Sequence, residues 1–176
     1  PETVEDFLAG QILLINKPLG WTSFDVVKKI KNLIRTKYSL KKIKVGHAGT
    51  LDPLATGLLI VCTGKFTKLI SEIQGQEKTY TGTITLGGTT PSYDLETEVD
   101  NNYETAHITE ELIKESTTQF IGEIDQKPPI FSALKKGGER LYEKARSGEK
   151  IEIESRKVSV SKFEITSIES LNVHFE

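Results

Sequence analysis

Apolar residues along this chain recur at two spacings, about 3.6 residues in some stretches and two in others, and the changeovers mark candidate elements. Gln11 to Asn16 is a short apolar run closed by Lys17-Pro18-Leu19-Gly20, which predicts a buried strand ending in a turn. A helix is predicted next. Thr22 or Ser23 can cap it, and Asp25 falls in its first turn. Val26, Val27, Ile30, Leu33 and Ile34 share one face, which is expected to pack inward with the lysines opposite. Thr56 to Thr63 is a continuous apolar run beside glycines, hence a buried strand, and a short helix is expected through Phe66, Leu69, Ile70 and Ile73. Thr79 to Leu86 alternates strictly, with Tyr80, Gly82, Ile84 and Leu86 on one face and threonines on the other, which predicts an amphipathic strand.

Residues 87–107 are rich in Gly, Thr and Pro and then acidic, a long surface loop. A helix is expected near Thr109 to Gln119, with Leu112 and Ile113 inward. Pro128-Pro129 excludes helix interior or central strand over Gln126 to Ser132, and a helix is expected near Gly138 to Arg146. The pairs Ile151/Ile153, Val158/Val160, Phe163/Ile165 and Val173/Phe175 mark strands by period two. The class is therefore α+β, a mixed and mostly antiparallel sheet flanked by helices and loops. Leu171 to Glu176 reads as a strand in progress with no turn after it, and the chain has no methionine. The sequence is therefore expected to continue beyond both ends.

With 176 residues the chain can bury a real core. Its apolar runs are far shorter than the ~20 residues that cross a bilayer, and the acidic start has no secretory pattern, so a cytoplasmic protein is expected. One cysteine, Cys62, excludes an internal disulfide. With three dispersed histidines it gives no metal-ligand spacing. Net charge is −2, but residues 1–80 hold 12 Lys+Arg against 7 Asp+Glu while residues 81–176 hold 11 against 18. The basic excess is sharpest at Lys28, Lys29, Lys31, Arg35, Lys37, Lys41, Lys42 and Lys44, a run suited either to a phosphate backbone or to a solvated helix face.

That run leads into Gly46-His47-Ala48-Gly49-Thr50-Leu51-Asp52-Pro53-Leu54-Ala55-Thr56-Gly57. Glycines permit close approach of a ligand, and the residue before a proline is pushed toward an extended conformation, so Asp52 is held in a restricted pose. An aspartate, with an ordinary pKa near ~3.9, is ionised at neutral pH and can act as a nucleophile without a separate base. Asp-Pro also suits a turn or an N-cap, and spacing alone leaves both roles open.

The string resembles the signature of the TruB family of tRNA pseudouridine synthases, in its bacterial form, nearly residue for residue. Further segments resemble the same family in the same order. They are Ile15-Asn16-Lys17-Pro18-Leu19-Gly20-Trp21-Thr22-Ser23, Glu77-Lys78-Thr79-Tyr80, Pro128-Pro129-Ile130-Phe131-Ser132-Ala133-Leu134-Lys135 and Arg140 to Gly148, so the likeness covers roughly residues 10–176. The resemblance implies a pseudouridine-synthase fold and isomerisation of a uridine in the T loop of tRNA, position 55 in tRNA numbering, after base flipping. Asp52 matches the catalytic aspartate. His47 matches a histidine that occupies the space the uridine leaves, and Tyr80 a tyrosine that stacks on the flipped base. A base must leave its stack before its glycosidic bond is reached, so an aromatic platform answers a physical need. Lys17 and Pro18 would shape the site wall, and Asp94 falls in a site-facing acidic loop. Residues about 126–155 match a thumb-like loop that clamps the RNA stem-loop, with Lys135, Lys136, Arg140, Lys144 and Arg146 as phosphate contacts.

An isomerisation implies no cofactor and no metal, and the resemblance implies the tRNA T stem-loop as partner, no obligate protein partner, and a monomer. The family continues with a strand carrying an arginine that pairs with the catalytic aspartate, and often with a small RNA-binding domain. Neither matches this sequence, so residues 1–176 read as a catalytic domain lacking its last elements, with little activity of its own. Three alternatives compete. One is a non-catalytic tRNA-binding or tRNA-folding module. A nucleotide-binding loop at Thr63-Gly64-Lys65 fails because Phe66 and Leu59 stand where that motif needs Ser/Thr and Gly. The guide-dependent dyskerin branch fits less well, because the chain has no extended basic tails and its loop from Asp94 to Asp100 is acidic.

Overall fold

The computed structural model describes residues 3–128 and 154–176, together with the backbone of residues 135–136 and 139–140. The chain divides into two compact units, Pro1–Glu77 and Lys78–Glu176. The first unit opens with helix α1 (Val4–Ala9), a short helix not among the predicted elements. Thr3 and Asp6 close a capping box at its start. Strand β1 (Ile12–Lys17), helix α2 (Ser23–Lys37), β2 (Val45–His47) and β3 (Gly57–Thr63) follow, then a 3₁₀ turn over Gly64–Leu69 and the short helix α3 (Ile70–Gln74). The helix expected through Phe66 to Ile73 is therefore split, with its first half in the tighter 3₁₀ form.

β3 is the centre of an antiparallel sheet ordered β1-β3-β2, with Leu13 opposite Val61, Ile15 opposite Leu59 and Lys17 opposite Gly57. Side chains alternate across a strand, so one face of this sheet carries Leu13, Ile15, Leu59 and Val61. Leu59, Val61 and Val26 of α2 form the core, joined by Ile30, Val45 and Leu51. The opposite face leaves Leu14 and Leu58 exposed but buries Cys62, so the run from Thr56 to Thr63 is buried on both sides only toward its C-terminal end. On α2, Val26, Val27 and Ile34 are buried as expected, but Leu33 is 56% exposed. Thr22, not Ser23, caps α2: its hydroxyl accepts from the Asp25 amide, while the Asp25 carboxylate accepts from the Thr22 amide.

The second unit holds β4 (Gly82–Thr85), β5 (Gly88–Thr89), β6 (Asn101–Asn102), α4 (Glu110–Thr117) and β7 (Gly122–Gln126). After these come β8 (Lys135–Lys136), β9 (Glu139–Arg140), β10 (Arg156–Val160), β11 (Ile165–Glu169) and β12 (Asn172–Phe175). Every pairing among the described residues is antiparallel: β11-β12-β4, β7-β10, β5-β6 and β8-β9. Val173 is buried at the centre of β11-β12-β4, and the Phe163 and Phe175 rings meet edge to face at 5.5 Å. Phe163 lies just before β11 rather than within it.

Three expectations fail in this unit. The strand from Thr79 to Leu86 contracts to four residues, with Tyr80 outside it and Ile84 exposed. Leu112 points outward although Ile113 is half-buried, because α4 is short and offers little inner face. Glu139 and Arg140 pair as a strand with Lys136 and Lys135, where a helix was expected to begin, and the rest of that segment lies outside the described residues. The strand expected at Ile151/Ile153 also lies outside them.

Candidate active site

The glycine-rich string connects two neighbouring strands. β2 and β3 pair with Val45 opposite Thr63 and His47 opposite Val61, so residues 48–56 leave the sheet and return to it beside β1. Local chemistry fixes this connection. The Ala48 amide donates to the Ile60 carbonyl at 2.8 Å, and the Ala55 amide closes on the Asp52 carbonyl at 3.0 Å, a turn with Pro53 at the position its fixed φ favours. Gly49 (φ 110) and Gly57 (φ 119) hold backbone conformations that side chains rarely allow, which explains glycine at both ends of the turn.

Two anchors flank Asp52. The buried Ser23 hydroxyl accepts from the Leu51 amide at 2.9 Å and donates to the Leu51 carbonyl at 3.1 Å, and the Leu51 side chain packs on the core. On the other side the Gly20 amide donates to the Pro53 carbonyl at 2.8 Å. The residues before and after Asp52 are thus pinned by the turn preceding α2 and by its first residue. The Asp52 carboxylate sits on the surface between them. Sequence reasoning treated Ser23 only as a possible cap. Two adjacent hydroxyls, where a cap needs one, were the signal that the second had other work.

Lys17, the last residue of β1, is fully buried. Its ammonium donates to the Pro18 carbonyl at 3.0 Å and to the Trp21 carbonyl at 2.6 Å, which ties the turn before α2 together. Burial lowers its pKa, and the negative charge of Asp52 opposes that shift, so the two groups lie within coulombic reach of each other. His47 is half-buried, and its Nδ1 donates to the Gly49 carbonyl. A carbonyl only accepts, so Nδ1 carries a proton in this bond. Lys17, His47 and Asp52 are therefore gathered around one loop of the first unit.

The other sequence candidates belong to the second unit. Tyr80 is 58% exposed just ahead of β4, so its ring is not the core aromatic that strand spacing alone would suggest. Asp94 is exposed, and its carboxylate accepts from the Glu96 amide at 2.9 Å while the Thr90 hydroxyl donates to its carbonyl, so it shapes its own loop. Lys135, Lys136 and Arg140 lie on the β8-β9 hairpin, with Lys135 opposite Arg140. Their side chains, and all of Lys144 and Arg146, fall outside the described residues. Among the described residues no cluster of His, Cys, Asp and Glu could hold a metal ion, and no helix is long and apolar enough to cross a membrane.

Sequence and structure comparisons place the chain in a known family. The TruB family pseudouridylate synthase (N terminal domain) profile matches residues 35–176, which include His47, Asp52 and Tyr80. The chain is 64% identical to tRNA pseudouridine synthase B of Flavobacterium johnsoniae over 174 residues, covering 98% of this chain and 76% of that protein. It is 56% identical to the protein of the same name from Parabacteroides distasonis over 160 residues, 91% of this chain and 68% of that one. Among solved structures, a Cbf5-Nop10-Gar1 complex contains a chain that superposes with a TM-score of 0.64 at 27% identity, over 96% of this chain and 39% of that one. An H/ACA RNP bound to a substrate RNA containing 2'-deoxyuridine shares the fold at 24% identity and a TM-score of 0.60, over 96% of this chain and 37% of that one. On the extent of the profile match and the identity to these relatives, the chain belongs to the TruB family of pseudouridylate synthases.

Proposed function

We propose that this chain carries the catalytic domain that isomerises uridine to pseudouridine in the T loop of tRNA, at position 55, with Asp52 as the catalytic carboxylate. The observation that carries the reading is the pinned turn. Asp52 is presented at the surface between two anchored neighbours, beside the buried cation of Lys17. Restricting a nucleophile in this way converts binding into alignment, which is a large part of what such a site must supply. The bond between C1′ and N1 of the uridine breaks, and a bond between C1′ and C5 forms. The hydrogen of C5 leaves to solvent and N1 gains one, so atoms balance with no oxidant, reductant or cofactor.

In this reading His47 fills the space vacated by the flipped base, and the exposed ring of Tyr80 stacks on that base. Lys17 shapes the wall behind Asp52, and Asp94 lines the substrate side of its loop. Gln126 of β7 pairs with Arg156 of β10, so the intervening residues leave and return at one point. That supports a thumb-like RNA clamp over about 126–155, with Lys135, Lys136, Arg140, Lys144 and Arg146 on phosphates. The chain is proposed to act in the cytoplasm as a monomer with no obligate protein partner, unlike the Cbf5 chain solved in complex with Nop10 and Gar1.

The test is chromatography of nucleosides from a digested T stem-loop RNA. It compares this chain with a chimera that adds the residues of the F. johnsoniae relative beyond the aligned region. Pseudouridine from the chimera, lost when the position-55 uridine is replaced by cytidine, supports the reading. RNA binding by the chimera without any pseudouridine favours a non-catalytic tRNA-binding module instead.

A further inference from the structure

The site described above leaves a neighbouring cleft unassigned. A cavity of about 390 Å³ is lined by Gly20, Trp21, Asp25, Lys28, Lys29 and Asn32. From Trp21 onward these positions are separated by four, three, one and three residues, so they form a single stripe along the start of α2. Trp21 is the chain's one tryptophan and is 39% exposed. Its backbone is held firmly. The Lys17 ammonium donates to its carbonyl at 2.6 Å, and the adjacent Gly20 amide donates to the Pro53 carbonyl at 2.8 Å. The aromatic wall of the cleft and the residue after Asp52 therefore belong to one hydrogen-bonded turn system.

Charge along the stripe is divided by position. The Asp25 carboxylate is engaged at the helix start, accepting from the Thr22 amide at 3.0 Å and the Thr22 hydroxyl at 2.6 Å. Further along α2 the cleft offers the exposed ammonium groups of Lys28 and Lys29, which only donate, and the amide of Asn32, which both donates and accepts. An aromatic face next to paired lysines matches an unpaired nucleotide. A base of any kind can stack on indole, and the ammonium groups meet the phosphate that follows it.

We propose that this cleft is a second nucleotide subsite, in which a base flanking the target uridine stacks on Trp21 while its phosphate is held by Lys28 and Lys29. It rests on the RNA-modifying reading of the Asp52 loop and extends it to where the neighbouring strand is held. The subsite would fix the register of the RNA relative to Asp52 without reading sequence, because stacking tolerates every base.

A single titration tests it. The chain is titrated with a T stem-loop RNA carrying a terminal fluorescein. RNA anisotropy reports binding, and protein emission excited beyond tyrosine absorption reports Trp21 alone. The expected result is quenching of Trp21 that saturates together with the anisotropy and is lost when one loop nucleotide flanking the uridine is made abasic. Trp21→Leu is expected to weaken binding about tenfold, with Trp21→Phe restoring most of it. Lys28→Gln with Lys29→Gln, two exposed changes that spare the fold, should reduce the slope of log affinity against log salt by about 1.4. Binding with unchanged Trp21 emission and an unchanged salt slope in the double variant would overturn the subsite and leave the RNA reading standing. No anisotropy change at any concentration would overturn both.

Discussion

Removing one hydroxyl, by Ser23→Ala, should loosen the loop that carries Asp52 without touching any residue assigned to chemistry. Ser23 is 2% exposed and makes two hydrogen bonds to Leu51, 2.9 Å from the amide and 3.1 Å to the carbonyl. A buried backbone group left without a partner costs about 1–3 kcal/mol. Leu51 is half-buried, so water recovers part of the loss, and the pair together should cost about 2 kcal/mol. For a chain of this size that corresponds to a fall in Tm of about 4–8 °C. The local consequence is larger than the global one. Leu51 immediately precedes Asp52, and a displacement of ~1 Å at a reacting group can cost ~100-fold in rate. In the turnover-competent chimera, single-turnover rates should drop about 10–100-fold while T stem-loop affinity stays within about twofold. Native-state hydrogen exchange at the Leu51 amide should accelerate, and that signal reads the anchor directly. A Ser23→Ala protein with unchanged Leu51 exchange and unchanged turnover would refute the claim that this hydroxyl positions the loop.

Two further perturbations probe the same unit. Lys17→Met strips the Pro18 and Trp21 carbonyls of their donor and should cost about 1–3 kcal/mol at neutral pH. Burial lowers the Lys17 pKa, so rising pH deprotonates the folded form before the unfolded one. Lys17's contribution to stability therefore grows as pH rises toward its ordinary value of 10.5. Urea melts of wild type and variant should diverge further at pH 9.5 than at pH 7, and convergence would contradict the burial argument. Gly64 holds φ 52, and a Cβ there would run into the backbone carbonyls of Phe7 and Leu8, which cannot swing aside. Gly64→Ala should destabilise the first unit by about 3 kcal/mol or more, measured by the same melts, and a near-neutral result would mean that α1 does not pack where it is described.

Much of this architecture was legible because local chemistry and tertiary contacts agree. The strand before Lys17, the helix from Ser23 and the strand after Gly57 all follow from apolar spacing, and the Asp52 loop stood out by its glycines, proline and single carboxylate. Spacing could not say which apolar faces are covered. Leu33, Leu58 and Leu112 were expected inside, yet the sheet face that carries Leu58 is covered only toward Cys62, and α4 is too short to bury a full stripe. Helix α1 was missed although Thr3-Val4-Glu5-Asp6 is a capping-box pattern and Val4, Phe7 and Leu8 fall at helical spacing, because six residues make too short a run to stand out, and the close approach of Gly64 to the carbonyls of Phe7 and Leu8 is a long-range contact. Ser23 was visible as a polar residue at a helix start. Its partner Leu51 lies 28 positions away, a distance that no local pattern spans.

The claim that Asp52 drives isomerisation is tested most directly by tritium release from T stem-loop RNA labelled at uridine C5, using the chimera with Asp52 intact and with Asp52→Ala. The account predicts release of label by the intact protein and none above background for the variant, with RNA affinity retained by both. Equal release from the two proteins would contradict it, and would return Asp52 to the role of a turn residue.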